Sequence, residues 1–291
     1  MYNTDIMITY KLNSFSNADF MISVDKGVHT ADFPSHYHDF TELTIVTSGS
    51  ATHVVEGLEY PIRKGSVMSV NPCFAHEYKD VDNLEHYNFM FDVGSFALLE
   101  NGLKKLKGFR LFFETLPQMR YRRKFIGQMV LDDEQFEFTS AVCELIYKEF
   151  KSKSPEYKIL VKTYFTTLLA YISNIYVSDE ESVPEAIEKI IQSVEYIEEN
   201  FNKKISIAEL SEIACLSERH YSRLFKKVYG ISPAQYIINC RVDHARLLIR
   251  STDATLTEIA YLCGFSDNSA FSKTFLKKYG VSPSQYREEK D

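Results

Sequence analysis

Between Ile205 and Tyr286 the chain carries one pattern twice. The first copy runs Ser206-Ile-Ala-Glu209-Leu210, Leu216-Ser217, Tyr221-Ser222-Arg223-Leu224-Phe225-Lys226-Lys227 and Tyr229-Gly230-Ile231-Ser232-Pro233-Ala234-Gln235-Tyr236. The second runs Thr255-Leu-Thr-Glu258-Ile259, Phe265-Ser266, Phe271-Ser272-Lys273-Thr274-Phe275-Leu276-Lys277 and Tyr279-Gly280-Val281-Ser282-Pro283-Ser284-Gln285-Tyr286. The offset is 49 residues up to the serine pair and 50 after it, so the second copy carries one inserted residue. A repeat of this length is one supersecondary unit used twice. Two units are too few for a solenoid and fit a paired binding module.

The repeat reads as helices with defined ends. Ser206 with Glu209, and Thr255 with Glu258, have the capping-box spacing, in which the hydroxyl caps the third helical amide and the Glu reaches back. A turn and a second N-cap fit at Leu216-Ser217 and at Gly264-Phe265-Ser266. Tyr221, Leu224, Phe225 and Val228 form the buried face of the next helix, as do Phe271, Phe275 and Leu276 in the second copy. Gly230 and Gly280 stand where a helix C-terminus favours a left-handed residue. Ser232-Pro233 and Ser282-Pro283 supply an N-cap followed by Pro at the first helical position. Two short helices, a tight turn and a basic second helix make a helix-turn-helix. Pro233 to Arg250 has no breaker and would span roughly 27 Å as one helix. That is of the order of the ~34 Å between successive major grooves.

A net charge of −7 argues at first against nucleic acid, but its distribution reverses the argument. From Pro184 onward there are fifteen bases and fifteen acids, so residues 1–183 carry the whole excess. Ser217 to Val228 holds four bases and one acid, and Ser266 to Tyr279 three bases and one acid. A basic stripe on a neutral body supplies the phosphate contacts of DNA binding. The N-terminus lacks a basic segment followed by an apolar run, and no window approaches a membrane-spanning length. The five cysteines, Cys73, Cys143, Cys215, Cys240 and Cys263, lie far apart, which suits small core residues in a reducing cytosol. A cytoplasmic protein with no membrane partner is expected.

Upstream the pattern differs. Residues 1–18 read as irregular. From Asp19 to Asp92 short apolar runs (Phe20 to Val24, Leu43 to Val46, Val67 to Val70, Tyr87 to Phe91) alternate with turn signals at Ser48-Gly49-Ser50, Glu56-Gly57, Lys64-Gly65 and Asn71-Pro72. Strands at this spacing predict an antiparallel barrel or sandwich. From Asp132 the period becomes helical: Phe138, Val142, Leu145 and Ile146 share one face. Leu160, Tyr164, Phe165, Leu168, Ile172 and Ile175 share another, with Lys151 to Pro155 between the two helices. Ser178 to Pro184 is acidic and ends in Pro, as a linker would. The fold class is α+β and multidomain: an antiparallel β-barrel with C-terminal helices, then an all-α domain. The boundaries are 1–131 for the barrel, 132–177 for the helical segment, 178–184 for the linker and 185–291 for the helix-turn-helix pair.

The C-terminal region resembles the DNA-binding domain of the AraC/XylS family of bacterial transcription regulators. The resemblance rests on Leu216-Ser217, Arg223-Leu224-Phe225-Lys226, Gly230-Ile231-Ser232-Pro233, Ala245-Arg246-Leu247-Leu248, Gly264-Phe265-Ser266-Asp267, Phe271-Ser272-Lys273 and Tyr279-Gly280. Ser211 departs from it, standing where the first module has Ala. The resemblance implies double-stranded DNA as partner. It puts base reading at Arg219, Ser222 and Arg223, with His220 nearby, and at Asn268, Ser269 and Lys273. Arg pairs bidentately with guanine and Asn with adenine. Lys226, Lys227, Lys277 and Lys278 suit phosphates.

In the N-terminal half, His36-Tyr-His38-Asp-Phe-Thr-Glu42, then Gly49, Gly65, Pro72 and His76, resembles the two cupin motifs, with Thr30 and Phe74 in place of motif glycines. On a strand His36, His38 and Glu42 would share a face. In cupins such residues bind a metal, so His36, His38, Glu42 and His76 are the alternative metal set. The AraC-type resemblance instead implies a barrel that binds an effector, lined by His36, His38, Glu42 and His76, with Tyr60 and Tyr87. No cofactor and no catalysis are expected. Gly108-Phe-Arg-Leu-Phe-Phe-Glu114 and Pro117-Gln-Met-Arg120 resemble the sensor domains of rhamnose-operon regulators, a resemblance that implies a sugar such as L-rhamnose as the expected effector. The expected protein is an effector-responsive activator of a carbohydrate-use operon. It would be a homodimer through the helices of 132–177 and would engage RNA polymerase. The competing readings are a metal-dependent cupin enzyme fused to a DNA-binding domain and a ligand-independent dimeric regulator.

Overall fold

The computed structural model describes residues 8–12, 20, 22–72, 74–93, 101–115, 127–178 and 185–288. Pro117 to Arg120, most of the linker and Cys73 fall outside them. The chain divides into two compact units, 1–181 and 182–291.

The first unit is built on eight strands: β1 (Ile8–Tyr10), β2 (Ile22–His29), β3 (Phe33–His38), β4 (Thr41–Val55), β5 (Leu58–Arg63), β6 (Ser66–Val70), β7 (His76–Phe91) and β8 (Gln128–Val130). β4 and β7 are long, and each serves two neighbourhoods. The first half of β4 pairs with β6 and the second half of β7, and its second half pairs with β5 and the first half of β7. β7 takes β2 along its second half and β3 along its first. The β-rich first domain forms as expected, and the antiparallel barrel is corrected in two details. The path β1-β3-β7-β4-β6-β8 does not close among the described residues, and β1 lies parallel to β3, so the sheet is mixed. β1 also comes from the stretch read as irregular.

Ser48-Gly49-Ser50 does not end a strand. β4 runs through it as a bend, with register shifts between Val46 and Thr52. Gly49 has φ +72°, and a Cβ there would meet the Asn83 carbonyl oxygen at 2.1 Å. Only glycine allows both the left-handed backbone and the close approach. The turns at Glu56-Gly57 and Gly65 form as read, with left-handed φ at all three residues.

One face of this sheet packs on α1 (Asp133–Ser152) and α2 (Tyr157–Ser178). Leu43, Ile45, Phe89 and Phe91 meet Phe165, Leu168, Leu169 and Ile172, and the Phe89 and Phe165 rings stack at 5.3 Å. The α1 face differs from the expected one. Thr139, Val142, Cys143 and Ile146 are buried, whereas Phe138 and Leu145 are 41% and 46% exposed.

The second unit is all helix: α3 (Glu185–Asn200), α4 (Ile207–Ile213), α5 (Glu218–Tyr229), α6 (Pro233–Ser251), α7 (Leu256–Leu262), α8 (Asn268–Tyr279) and α9 (Pro283–Glu288). Both capping boxes form, at Ser206 with Glu209 and at Thr255 with Glu258. Ser232 caps α6 ahead of Pro233, and Gly230 and Gly280 end α5 and α8 in the left-handed region. The inserted residue is now located. Ser217 caps α5, but α8 is capped by Asp267, not Ser266, so the extra residue lies in the second turn. Asp267→Ala should cost about 1 kcal/mol of stability and Ser266→Ala almost nothing. Equal losses in chemical denaturation would refute that assignment. Gly264, at φ +80°, seats the second turn against the backbone of Asn202, where a Cβ would come within 2.6 Å of the carbonyl oxygen. Arg241 fastens the same corner, its guanidinium donating to the carbonyls of Phe201 and Lys203 at 2.7 and 2.8 Å.

Candidate functional site

Inside the first unit the strands bring six histidines to one region. His36 on β3 lies opposite His76 on β7, and their rings are 4.2 Å apart. The His38 ring meets His76 at 5.0 Å, and His53 on β4 meets it at 5.4 Å. His53 Nε2 and His76 Nδ1 are 3.2 Å apart. Glu42 Oε2 lies 3.8 Å from Nε2 of both His38 and His76. Glu42 does not continue the strand of His36 and His38, as its spacing suggested. The chain turns at Asp39-Phe40, and Glu42 enters on β4. His29 stacks on His86 at 5.2 Å and 13°, and His86 lies opposite Gly27, where a Cβ would be 2.4 Å from the imidazole.

These groups border a cavity of about 230 Å³ lined by His29, His36, His86, Glu42, Tyr78 and Asn88 among others. His36, His38, Glu42 and His76 are all at most 6% exposed. Burial is the main reason that the imidazoles of His29, His38, His53, His76 and His86 titrate below their usual range. It lowers His38 and His29 against the attraction of Glu42, brings His53 to about 3 and brings His86 to about 4. His76 is held well below the usual range by burial and then by His53, His36 and His38. Burial, then the Glu42 charge, raises the Tyr78 phenol. With His38 and His76 neutral at pH 7, their 3.8 Å separations from Glu42 are neither ion pairs nor hydrogen bonds.

The structure brings His36, His38, Glu42 and His76 together and leaves Tyr60 and Tyr87 elsewhere. Tyr60 lies opposite His53 across β4–β5 and packs with Val55 and Val70. Tyr87 faces α1, where its hydroxyl donates to Glu144 beside a separate polar cleft that includes Lys26, Lys64 and Glu137. Its side chain alternates away from His86 and Asn88, which line the cavity. His29, His53 and His86 were missed by motif reasoning. The period-two run His76, Tyr78, Leu84, His86, Asn88 and Met90 on β7 was the available signal.

In the second unit α5 buries Tyr221, Phe225, Val228 and Tyr229 and exposes Arg219, His220, Arg223, Lys226 and Lys227, with Ser222 half-buried. Arg219, Ser222, Arg223 and Lys226 fall at helical spacing along one side. On α8 Phe271 and Phe275 are buried, and Asn268, Ser269, Lys273 and Lys277 are exposed. Leu276, read as core, is 48% exposed, because it occupies the place of Lys226 in the first copy. Lys278 is held by Asp243 of α6 and is not a free phosphate ligand. Among the described residues no helix is long and apolar enough to cross a membrane.

Two family descriptions match the chain in order: an AraC-like ligand-binding domain over residues 23–167 and a helix-turn-helix domain over residues 210–289. The chain belongs to the AraC family of transcription regulators. It is similar to the HTH-type transcriptional activator RhaS of Escherichia coli O1:K1 / APEC, 25% identical over 275 residues that span 91% of each chain. RhaS of Enterobacter sp. (strain 638) is 26% identical over 279 residues, again 91% of each. ToxT from Vibrio cholerae aligns over 92% of this chain and 98% of its own, at 15% identity and a TM-score of 0.35. The curated relatives are regulators. Like other AraC family chains, this one pairs a ligand-binding domain with a DNA-binding domain.

Proposed function

We propose that this protein is an effector-switched activator of carbohydrate-use genes that holds a sugar-like effector in the histidine-lined cavity. The observation that carries the reading is the cavity's chemistry. Imidazoles, the carboxylates of Asp25 and Glu42, Asn88 and the Tyr78 hydroxyl line it together with the aromatic faces of Phe33 and Phe40. Such a lining suits a polyhydroxylated ring, and about 230 Å³ is below the roughly 300–1,000 Å³ of sites for drug-sized ligands. A panel of monosaccharides, L-rhamnose included, tests this by thermal shift. A ligand that binds only the folded state at 100 times its Kd adds about 2.7 kcal/mol of stability. A flat response across the panel would remove sugars from consideration.

DNA is read by α5 and α8, with Arg219, Ser222, Arg223, Asn268, Ser269 and Lys273 facing bases and Lys226, Lys227 and Lys277 facing phosphates. The exposed basic side of α5 supports this assignment. Arg223→Ala should weaken specific binding by about 1–3 kcal/mol and relax one base position. An unchanged footprint and affinity would rule Arg223 out. The exposed Phe138 and Leu145 on α1, with Tyr171 of α2 beside Phe138 at 4.3 Å, support a homodimer contact through these helices. The protein then acts in the cytoplasm, on paired half-sites and with RNA polymerase as its further partner.

A further inference from the structure

We propose that the cavity of the sensor unit takes a protonated amine, so that the effector is an amino sugar whose ammonium group is the counter-charge of Glu42. The inference rests on the reading of this cavity as the sugar site and narrows the class of sugar that it accepts.

It begins with strand register. Residues directly opposite one another on an antiparallel ladder share a face. β2, β7 and β4 therefore pave one side of the cavity in rows. Asp25 lies opposite Asn88 and Asn88 opposite Thr44, and in the next row on that face Met90 lies opposite Glu42. The two carboxylates of this side differ. Asp25 stands at the rim with its side chain 61% exposed, and Lys151 of α1 answers it at 3.3 Å. Glu42 is 5% exposed. Among the described residues no lysine or arginine lines the cavity.

The protein itself does little to hold the charge of Glu42. The Thr44 hydroxyl donates to Oε1 at 3.2 Å. Oε2 has Nε2 of His38 and of His76 at 3.8 Å, beyond hydrogen-bond reach. A carbonyl oxygen only accepts, so the 2.7 Å contact of His38 Nδ1 with the Phe40 carbonyl puts the ring proton on Nδ1. The nitrogen that His38 turns to Glu42 is then a lone pair, an acceptor facing an acceptor. A buried charge without a partner is destabilising, and an arriving cation relieves it.

An ammonium group supplies what Oε2 lacks, a positive charge with three donors. Tyr10, Phe33 and Phe40 line the same cavity, and aromatic faces attract a cation as well. Asn88 Oδ1 and His86 Nδ1 are buried without hydrogen-bond partners and suit hydroxyls of the same ring. A neutral hexose offers Glu42 a hydrogen bond but leaves its charge unpaired. A sugar acid or a sugar phosphate brings a second negative charge beside it, which works against binding.

The test is calorimetric titration of the full chain at pH 7 with D-glucosamine, D-galactosamine and D-mannosamine. Each is set against its parent hexose, the matching uronate and its N-acetyl derivative, which keeps the ring and loses the charge. L-Rhamnose serves as a further neutral sugar. Ligand atoms of His36, Glu42 and His76 lie within 4.8 Å of one another, so the buffer contains chelator to keep a metal ion from standing in for the amine. The expected result is one site per chain, at which an amino sugar binds about 10–100-fold more tightly than its parent hexose and no uronate binds. Glu42→Gln should erase that preference. It should also raise the melting midpoint of the ligand-free chain, because it removes an unpaired buried charge, and that rise separates lost selectivity from lost folding. A neutral sugar that binds as tightly as every amino sugar overturns the amine assignment and leaves the sugar reading standing. A preference for the amine that survives Glu42→Gln, or a midpoint that falls in that variant, overturns the role of Glu42. No response across the whole set overturns the sugar reading and this inference with it.

Discussion

Gly49→Ala is expected to destabilise the sensor unit by about 3–5 kcal/mol, enough to unfold a domain of ordinary stability. Two costs combine. A non-glycine residue at φ +72° is strained by about 1–2 kcal/mol. The new Cβ would also stand 2.1 Å from the Asn83 carbonyl oxygen, and that neighbour is backbone that cannot swing aside. Gly57→Ala is the matched control, because Gly57 has φ +78° but nothing within 4 Å of the added carbon. It should lose only the strain. Urea unfolding of both variants, followed by circular dichroism, separates the two costs. Equal losses would mean that the bend of β4 opens without resistance and that the close packing on Asn83 is unimportant.

Acidification should destabilise the same unit by at least about 4 kcal/mol between pH 7.5 and pH 5. His53 and His86 titrate near 3 and 4 in the folded protein, both depressed chiefly by burial, against 6.5 when unfolded. Above pH 7 both states hold these rings neutral, and stability is flat. Below 6.5 the unfolded chain takes up at least these two protons that the folded chain refuses, with His29, His38 and His76 adding in the same direction, so stability falls with pH until the folded pKa values are reached. Each ring contributes about 1.4 kcal/mol per pH unit in that window. Unfolding free energies from pH 5 to 8 in chelated buffer give the slope directly. His86→Gln should remove about one proton from it. A slope that is unchanged in that variant, or stability that rises on acidification, would contradict the burial of His86.

Much of the second unit was legible because its signals are local. A capping box needs only Ser206 and Glu209, and the left-handed ends need only Gly230 and Gly280. The sequence erred there only where pattern and register part. Ser266 looked like a cap by analogy with Ser217, but the inserted residue hands the role to Asp267. Leu276 looked like core because it is apolar, although it lies at the position of Lys226. The first unit was less readable because its contacts are distant in sequence. His36 and His76 were found through a motif, whereas His29, His53 and His86 join them only through the pairing of β2, β4 and β7. Glu42 was placed correctly beside His38 by a strand periodicity that the turn at Asp39-Phe40 interrupts. The AraC-type resemblance puts Tyr87 among the residues lining the cavity, but its alternation with His86 sends it to the opposite face.

The helix α6 runs unbroken for 19 residues, from the first module into the core of the second, where Val242, Ala245 and Ile249 meet Phe271 and Phe275. Such a rod transmits phase as well as distance. Adding or deleting one residue in its middle would turn the second module by about 100° and move it about 1.5 Å along the axis. Side chains can drift at many positions of this helix without changing where α8 points, but its length cannot drift by a single residue. The count of residues between the two caps of α6, Ser232 and Thr252, is therefore a fixed gauge. Any DNA sequence it recognises has to keep its two contact patches in step with that gauge as both evolve.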